Sequence, residues 1–458
     1  MTRGNIKKLQ VAIAATAAAF SATVANAQTP NSPVTVNLSF SSKLSIDTNP
    51  NLAAVSSGTE LAFSEGLFAS FNNITQNQDL QVSVDTGFSF ASTAGGGTSG
   101  SFNSPKFKLS YTRDSANSDL ALSADYWSGD VTSSFDADPT SAIFIIVDTG
   151  TLVKSDLNFA YNWGLTAPLG FSLNASYSGS DYTGTSDPAL FDSITTTVSA
   201  GANFRFSPNT NGSLTAFTTN YDSNDPIGTN SVTNEWAFKV TRDLATGLVL
   251  SGNAGYRDVT TATSLSTTNR NGFFLGLDAT QPVARGTYFG GISLDDSGSS
   301  LQTALTVGRS MDFPDGSLTA SITANNVSGG STQILASASY LKQLPDGSIT
   351  LDLSQSLTEN YLSQDVKLSS LGVIYQKNLN SDSDLNLAFD VSRSEDAGAG
   401  FAATLNRSKL TASYSRSLTP DWNMSVGYEH RQKSGSTVST ANSDSVFLTL
   451  TRDLQFGF

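Results

Sequence analysis

Apolar and polar residues alternate one by one along most of the chain. Val34, Val36, Leu38 and Phe40 interleave with Thr35, Asn37, Ser39 and Ser41. Leu80, Val82, Val84, Phe88 and Phe90 interleave with Gln81, Ser83, Asp85, Gly87 and Ser89. Leu169, Phe171, Leu173, Ala175 and Tyr177 repeat the pattern, as do Leu385, Leu387, Phe389 and Val391, and then Trp422, Met424, Val426 and Tyr428. Successive side chains of a β-strand point to opposite faces, so a period of two predicts strands with one oily and one wet face. Helical spacing, with apolar residues three and four apart, does not fit these stretches.

A longer repeat is superimposed, at intervals of roughly 30 to 40 residues. SYTRDSANSDLALSADY from Ser110, KVTRDLATGLVLSGNAGY from Lys239 and SYSRSLTPDWNMSVGY from Ser413 share one plan. SYLKQLPDGSITLDL from Ser339, IYQKNLNSDSDLNLAFD from Ile374 and the terminal LTLTRDLQFGF from Leu448 follow it too. Each is an alternating strand, a basic residue, a short turn of Asp, Pro, Gly or Asn, and a returning strand, which is a hairpin with tight-turn chemistry. A soluble sandwich would press the apolar faces together. A membrane barrel turns them to lipid, closes the sheet so that no backbone group is left unpaired, and lines its interior with the polar faces. Roughly 20 residues per strand and connection suffice for a tilted span of ~9–11 residues. The expected fold is all-β, a transmembrane antiparallel up-and-down β-barrel of about 22 strands, within about 18 to 24.

Composition narrows the chemistry. Only 14% of the 458 residues are charged, against roughly 25% in an ordinary soluble domain. With 27 Phe, 13 Tyr and 4 Trp the chain is too aromatic to be disordered. It has no Cys and one His, His430, which excludes disulfide frameworks, thiolate metal sites and histidine clusters. The net charge of −14, without a basic patch, excludes nucleic-acid binding. At the N-terminus Arg3, Lys7 and Lys8 precede an apolar stretch from Val11 to Phe20 and the small-x-small site Ala25-Asn26-Ala27, the plan of a secretory signal peptide. The expected organisation is a cleaved signal peptide over 1–27 and a single barrel domain over 28–458, with mature charge 22 − 39 = −17. No 18-residue apolar run follows, and strand alternation begins by Val34, leaving no room for a plug domain.

From Val446 the apolar positions run Val446, Leu448, Leu450, Leu454, Phe456 and Phe458. This resembles the C-terminal signal of Gram-negative outer-membrane β-barrels, an amphipathic last strand ending in Phe. The resemblance implies location in the cell outer membrane, assembly by the barrel-assembly machinery and Leu454, Phe456 and Phe458 as the assembly signal. The SRSLTPDWNMSVGYEHR stretch more narrowly resembles a group of β-barrel porins that includes exopolysaccharide-associated members.

Strand parity assigns roles to the charged residues. Arg113, Arg242, Arg309, Lys342, Lys377, Arg416 and Arg452 share the parity of the apolar face, one step beyond its last residue. They are expected to form an outward collar at the periplasmic interface, snorkelling to lipid head groups. Arg205 takes the inward parity. Asp85, Asp125, Asp278, Asp352, Asp390 and Glu429 are expected to line the pore, against Arg205 and Arg431. The short turns are read as periplasmic and the opposite connections as extracellular. The connection from Gly129 to Gly150 is either a projecting hairpin or a constriction folded into the lumen. GGGTSG, Gly95 to Gly100, reads as an extracellular loop. DDSGSS from Asp295 and NSDSD from Asn380 space carboxylates as some Ca²⁺ loops do, but read more simply as turns. His430, outward beside Glu429 and Arg431, reads as an interfacial imidazole, so no enzyme, cofactor or metal is expected. Two functions fit: a porin-like channel for small hydrophilic solutes, weakly preferring cations, or a structural or exopolysaccharide-associated barrel.

Overall fold

The structure, a computed structural model, describes residues 34–50, 52–56, 58–93, 98–131, 150–185, 190–296, 301–327, 332–359, 365–396, 404–436 and 439–457. They form β1 Val34–Asp47, β2 Glu60–Ile74, β3 Gln78–Thr93, β4 Thr98–Asp114, β5 Ser118–Asp130, β6 Thr151–Trp163, β7 Leu169–Thr183 and β8 Ser193–Ser207. Next come β9 Thr210–Ser223, β10 Asn230–Asp243, β11 Val249–Ala262, β12 Thr267–Val283, β13 Gly286–Asp296, β14 Leu301–Phe313 and β15 Gly316–Val327. The series ends with β16 Gln333–Leu344, β17 Gly347–Glu359, β18 Asp365–Asn380, β19 Ser383–Asp396, β20 Leu405–Thr419, β21 Trp422–Gly435 and β22 Ala441–Gly457. Each strand pairs antiparallel with its neighbours in chain order, and β1 pairs with β22 from Thr35 opposite Gly457 to Asp47 opposite Ser445. The sheet is therefore a closed 22-stranded barrel, and closure uses the backbone groups an edge would leave free.

Register sorts the residues onto two faces. Leu448, Leu44, Phe63 and Phe90 form one cross-strand row on the outside, and Thr449, Lys43, Ser64 and Ser89 the adjoining row on the inside. The outer face carries the large apolar residues in the open: Leu305 is 52% exposed, Val307 62% and Ile322 60%. Among the described residues the buried apolar side chains are Val131, Leu152, Leu368 and Ala441 alone. Such a surface would aggregate in water, whereas lipid tails are its natural solvent. This excludes the soluble sandwich, whose apolar faces would be hidden.

On four strands the apolar band has one height. Eight residues from Arg242, Lys377, Arg416 and Arg452 on the same strands, the outward series turns polar at Asn234, Ser369, Ser408 and Asp444. Between them stand only residues such as Val240, Phe238 and Trp236, or Leu450, Leu448 and Val446. Eight residues at ~3.3 Å each, tilted by ~40°, rise about 20 Å, near the ~25 Å band of outer-membrane barrels.

The connections after even-numbered strands are two to five residues long. The five-residue turns after β6 and β10 put Gly164 and Gly247 at φ 76° and 81°, where a Cβ would be strained. Connections at the other end are mostly longer, reaching 131–150 after β5. The body of that connection, the signal segment 1–27 and Phe458 lie outside the described residues. Of GGGTSG, Gly95 to Gly97 also lie outside the described residues, and Thr98 to Gly100 belong to β4, where Gly100 pairs with Phe90.

Candidate functional site

The inner wall is mainly Ser, Thr, Asn and Gly, interrupted by three groups of charged side chains. In β3 to β6, Asp85 stands opposite Lys106, and Lys108 lies 3.7 Å from Asp125, which in turn faces Asp156. Lys106 and Lys154 flank Trp127. The Lys108–Asp125 pair is wet, with side chains 71% and 43% exposed, and contributes little stability.

The second group is drier. Arg257 on β11 donates from Nε to Glu235 on β10 at 2.8 Å and from Nη1 to Asp295 on β13 at 3.1 Å. Its guanidinium also lies 5.5 Å from the centre of the Phe274 ring. Arg257 faces Gly272 on β12, and the absence of a side chain there lets it reach across that strand to β13. The Phe274 ring lies against Gly255 on the neighbouring strand, a pairing repeated by Phe289 on Gly308 and Phe447 on Gly427. Each ring covers a stretch of backbone that glycine would leave bare.

The third group crosses the closure seam. Asp390 stands opposite Lys409, which pairs with Glu429 at 3.3 Å. Arg431 Nε lies 3.3 Å from Glu429, and its Nη2 donates to Asp47 on β1 at 2.6 Å. Ser443 on β22 donates to the same Asp47. Asp352 faces Ser339 and Gly372, with Asp390 leaning over Gly372 from the other side. Asp278 faces Ser251 and leans over Gly291.

These placements correct the charge balance expected from the acids. The inward face holds not only Arg205 and Arg431 but also Lys43, Lys106, Lys108, Lys154, Lys239, Arg257, Arg270, Arg407, Lys409 and Lys433. Alternation carried the signal: an outward Phe107 forces Lys106 and Lys108 inward, and outward Phe238 and Val240 do the same for Lys239. Away from the turns, acids and bases nearly cancel. The inner rim at the short-turn end remains acidic, with Asp79, Asp114, Asp119, Asp243, Asp312, Asp384 and Asp453 against Arg205. Arg205 donates to the carbonyls of Leu165 and Thr166 at 2.7 and 3.3 Å and so holds the β6–β7 turn.

On the outer face at the same end, the guanidinium of Arg309 lies 4.6 Å over Tyr288 and that of Arg452 5.6 Å over Trp422. Lys342 and Lys377 instead turn to the turn acids Asp315 and Asp346, at 3.7 and 3.4 Å. Arg113, Arg242 and Arg416 stand opposite the outward Leu120, Leu250 and Met424. Leu454 and Phe456 face outward opposite Leu38 and Val36. His430 is outward at the far end of the band, where Asp444 accepts from Tyr428 Oη at 2.6 Å and lies 2.8 Å from His430 Nδ1. Asp295 is engaged by Arg257, and Asn380 Oδ1 accepts from the backbone of Asp382 at 2.9 Å, an ordinary turn. Among the described residues no three acidic or imidazole groups converge on a metal position.

Compared by sequence, the chain matches no family model and no curated protein. Compared by structure, it is similar to the siderophore receptor PirA from Acinetobacter baumannii, with TM-score 0.59, 8% identity, and coverage of 93% of this chain and 81% of that one. It is also similar to the FrpB iron transporter from Neisseria meningitidis, with TM-score 0.61, 10% identity, and coverage of 91% and 82%. A ferric enterobactin receptor, PfeA from Pseudomonas aeruginosa, gives TM-score 0.57 at 9% identity over 93% and 82%. What the chain shares with these proteins is the barrel fold.

Proposed function

We propose that this protein is an outer-membrane channel through which small hydrophilic solutes diffuse passively. In this reading it is exported behind a signal peptide cleaved after Ala27, and the barrel-assembly machinery inserts it through Leu454, Phe456 and Phe458. The carrying observation is the wall itself: every described residue belongs to a strand or to a connection between consecutive strands, and the inward face is wet. A barrel of this size encloses an aqueous lumen unless something fills it. Weak cation preference is retained but relocated. Asp85, Asp125, Asp278, Asp352, Asp390 and Glu429 remain pore-lining candidates, while the acidic rim around Asp114, Asp243 and Asp453 sets the sign.

A second reading, ligand-specific uptake, is favoured by the three ion-paired groups on the wall and by the receptors that share the fold. A non-conducting structural or exopolysaccharide-associated barrel is the third. Single-channel recording separates them. The channel reading expects stepwise conductance without added ligand and a reversal potential on the cation side of a KCl gradient. Changing the seven rim aspartates to Asn should move that potential to zero or past it, more so at low salt, where the ~8 Å screening length of physiological buffer no longer applies. Chloride preference in the unaltered protein would overturn the rim assignment, and absence of conductance would overturn the channel.

A further inference from the structure

Of the four tryptophans, Trp163, Trp236 and Trp422 take the outward parity, opposite Phe171, Tyr256 and Arg452, in the lipid-facing band. Trp127 alone faces the lumen, half-buried on β5. The inward rings of Phe274, Phe289 and Phe447 each cover a glycine of a neighbouring strand. Trp127 instead has a lysine on either side, Lys106 on β4 and Lys154 on β6. Among the described residues no ammonium group lies over its ring, and its Nε1 has no acceptor. A large aromatic face is thus held toward water on a wall of small polar residues, and no contact within the chain offsets that exposure.

The cross-strand row of Trp127 runs Phe68, Asp85, Lys106, Trp127 and Lys154 over β2 to β6. The next row toward the short-turn end runs Ser83, Lys108, Asp125, Asp156 and Ser178 over β3 to β7. With strands ~4.8 Å apart, the two rings stand about 14 Å from each other, with an acid and a base between them. A carboxylate only accepts hydrogen bonds and an ammonium only donates them, so side by side they match a hydroxyl, which does both. Three acids and three bases leave the two rows with no net charge to attract an ion. The Lys108–Asp125 pair is long and wet, so hydroxyls can enter it at little cost. Two residues further toward the short-turn end, the wall carries a groove of about 270 Å³ lined by Ser110, Ser123, Asn158, Asn174, Ser176 and Ser199.

We infer that this patch binds neutral oligosaccharide chains entering from the long-loop end. A pyranose ring presents C–H groups on its faces and hydroxyls around its edge. One such face stacks on Trp127, and another further along the chain stacks on Phe68, whose side chain is 38% exposed. Edge hydroxyls accept from Lys106 and Lys154 and donate to Asp85 and Asp125. The groove then offers hydroxyl and amide groups to the chain as it moves down the lumen. A planar aromatic solute would stack on Trp127 but leave the acid and base between the rings unmatched. The inference rests on the channel reading and gives its solute a chemical class.

The other three indoles face detergent in the purified barrel, so a sugar seated on Trp127 changes the emission of the one lumenal tryptophan. Titration with maltohexaose and with cellotetraose, an α-linked and a β-linked glucan, should give a saturable change with at least one of them. Calorimetric titration of that glucan should show its dissociation constant rising about tenfold in Trp127→Ala, the size of one lost stacking contact, and little in Trp127→Phe. Heat-modifiable gel mobility checks that both variants are folded. No saturable binding of either glucan, or equal affinity of Trp127→Ala and the unaltered protein, overturns the inference. No current is measured, so that failure leaves the channel reading standing, whereas binding without conductance would overturn the channel alone.

Discussion

Changing Arg113, Arg242, Arg309, Lys342, Lys377, Arg416 and Arg452 together to Glu should leave most of the protein unassembled and open to protease. Each of these positions continues the outward parity of the apolar face near the short-turn end, the level at which the proposed outer-membrane location places lipid head groups. A base near an anionic leaflet gains roughly 1 kcal/mol, so reversing seven removes an attraction of several kcal/mol and replaces it with repulsion. Local chemistry adds to the effect. Glu at 342 and 377 would face Asp315 and Asp346, the acids that now hold the two lysines, and Glu at 309 and 452 would lose the ring faces of Tyr288 and Trp422. Heat-modifiable gel mobility and proteolysis of intact cells measure the folded fraction. Single changes to Gln should assemble normally, because each removes only one small contribution. Normal assembly of the seven-fold Glu variant would refute a head-group role for the collar.

Arg257→Met should be the most destabilising single change in the inner wall. It strands Glu235, whose side chain is 10% exposed, beside Asp295 with no base between them. Removing one partner of a buried pair costs roughly 3–5 kcal/mol, and the 31% exposure of Arg257 puts this case at the low end. Replacing all three, as Glu235→Gln, Arg257→Met and Asp295→Asn, should recover most of the loss, since the charges that need compensation are gone. Urea unfolding of the barrel in lipid vesicles reads both variants. Equal stability of Arg257→Met and the unaltered barrel would show that water already solvates the triad.

The alternation of single residues disclosed the fold because the wall has only two environments, oil and water, and each residue faces one of them. Strand number followed from the turns, since short turns at one end keep every hairpin in register. The inner wall was harder to read. Lys106, Lys108 and Lys239 are as legible as Asp85 from the alternation of their strands, but the inward reading of bases stopped at Arg205 and Arg431. The irregularity between Asp85 and Gly87 shifts the parity of β4, so Phe102 and Phe107 both face outward although their numbers differ by five. The Glu235–Arg257–Asp295 group was not legible at all. It spans four strands and depends on Gly272 being opposite Arg257, a coincidence of register that no local pattern records.

The eight-residue interval from Arg242, Lys377, Arg416 and Arg452 to the first polar outward residue of their strands has a mechanical consequence. A single membrane helix whose apolar length differs from that of its bilayer can tilt until the two agree. A closed 22-stranded wall cannot, because tilting the cylinder lowers one side and raises the other. The bilayer has to conform instead, and the lipids bordering the barrel are compressed toward an apolar thickness of about 20 Å, at a fraction of a kcal/mol for each ångström of mismatch. Every barrel of this kind therefore carries a ring of thinned membrane around it.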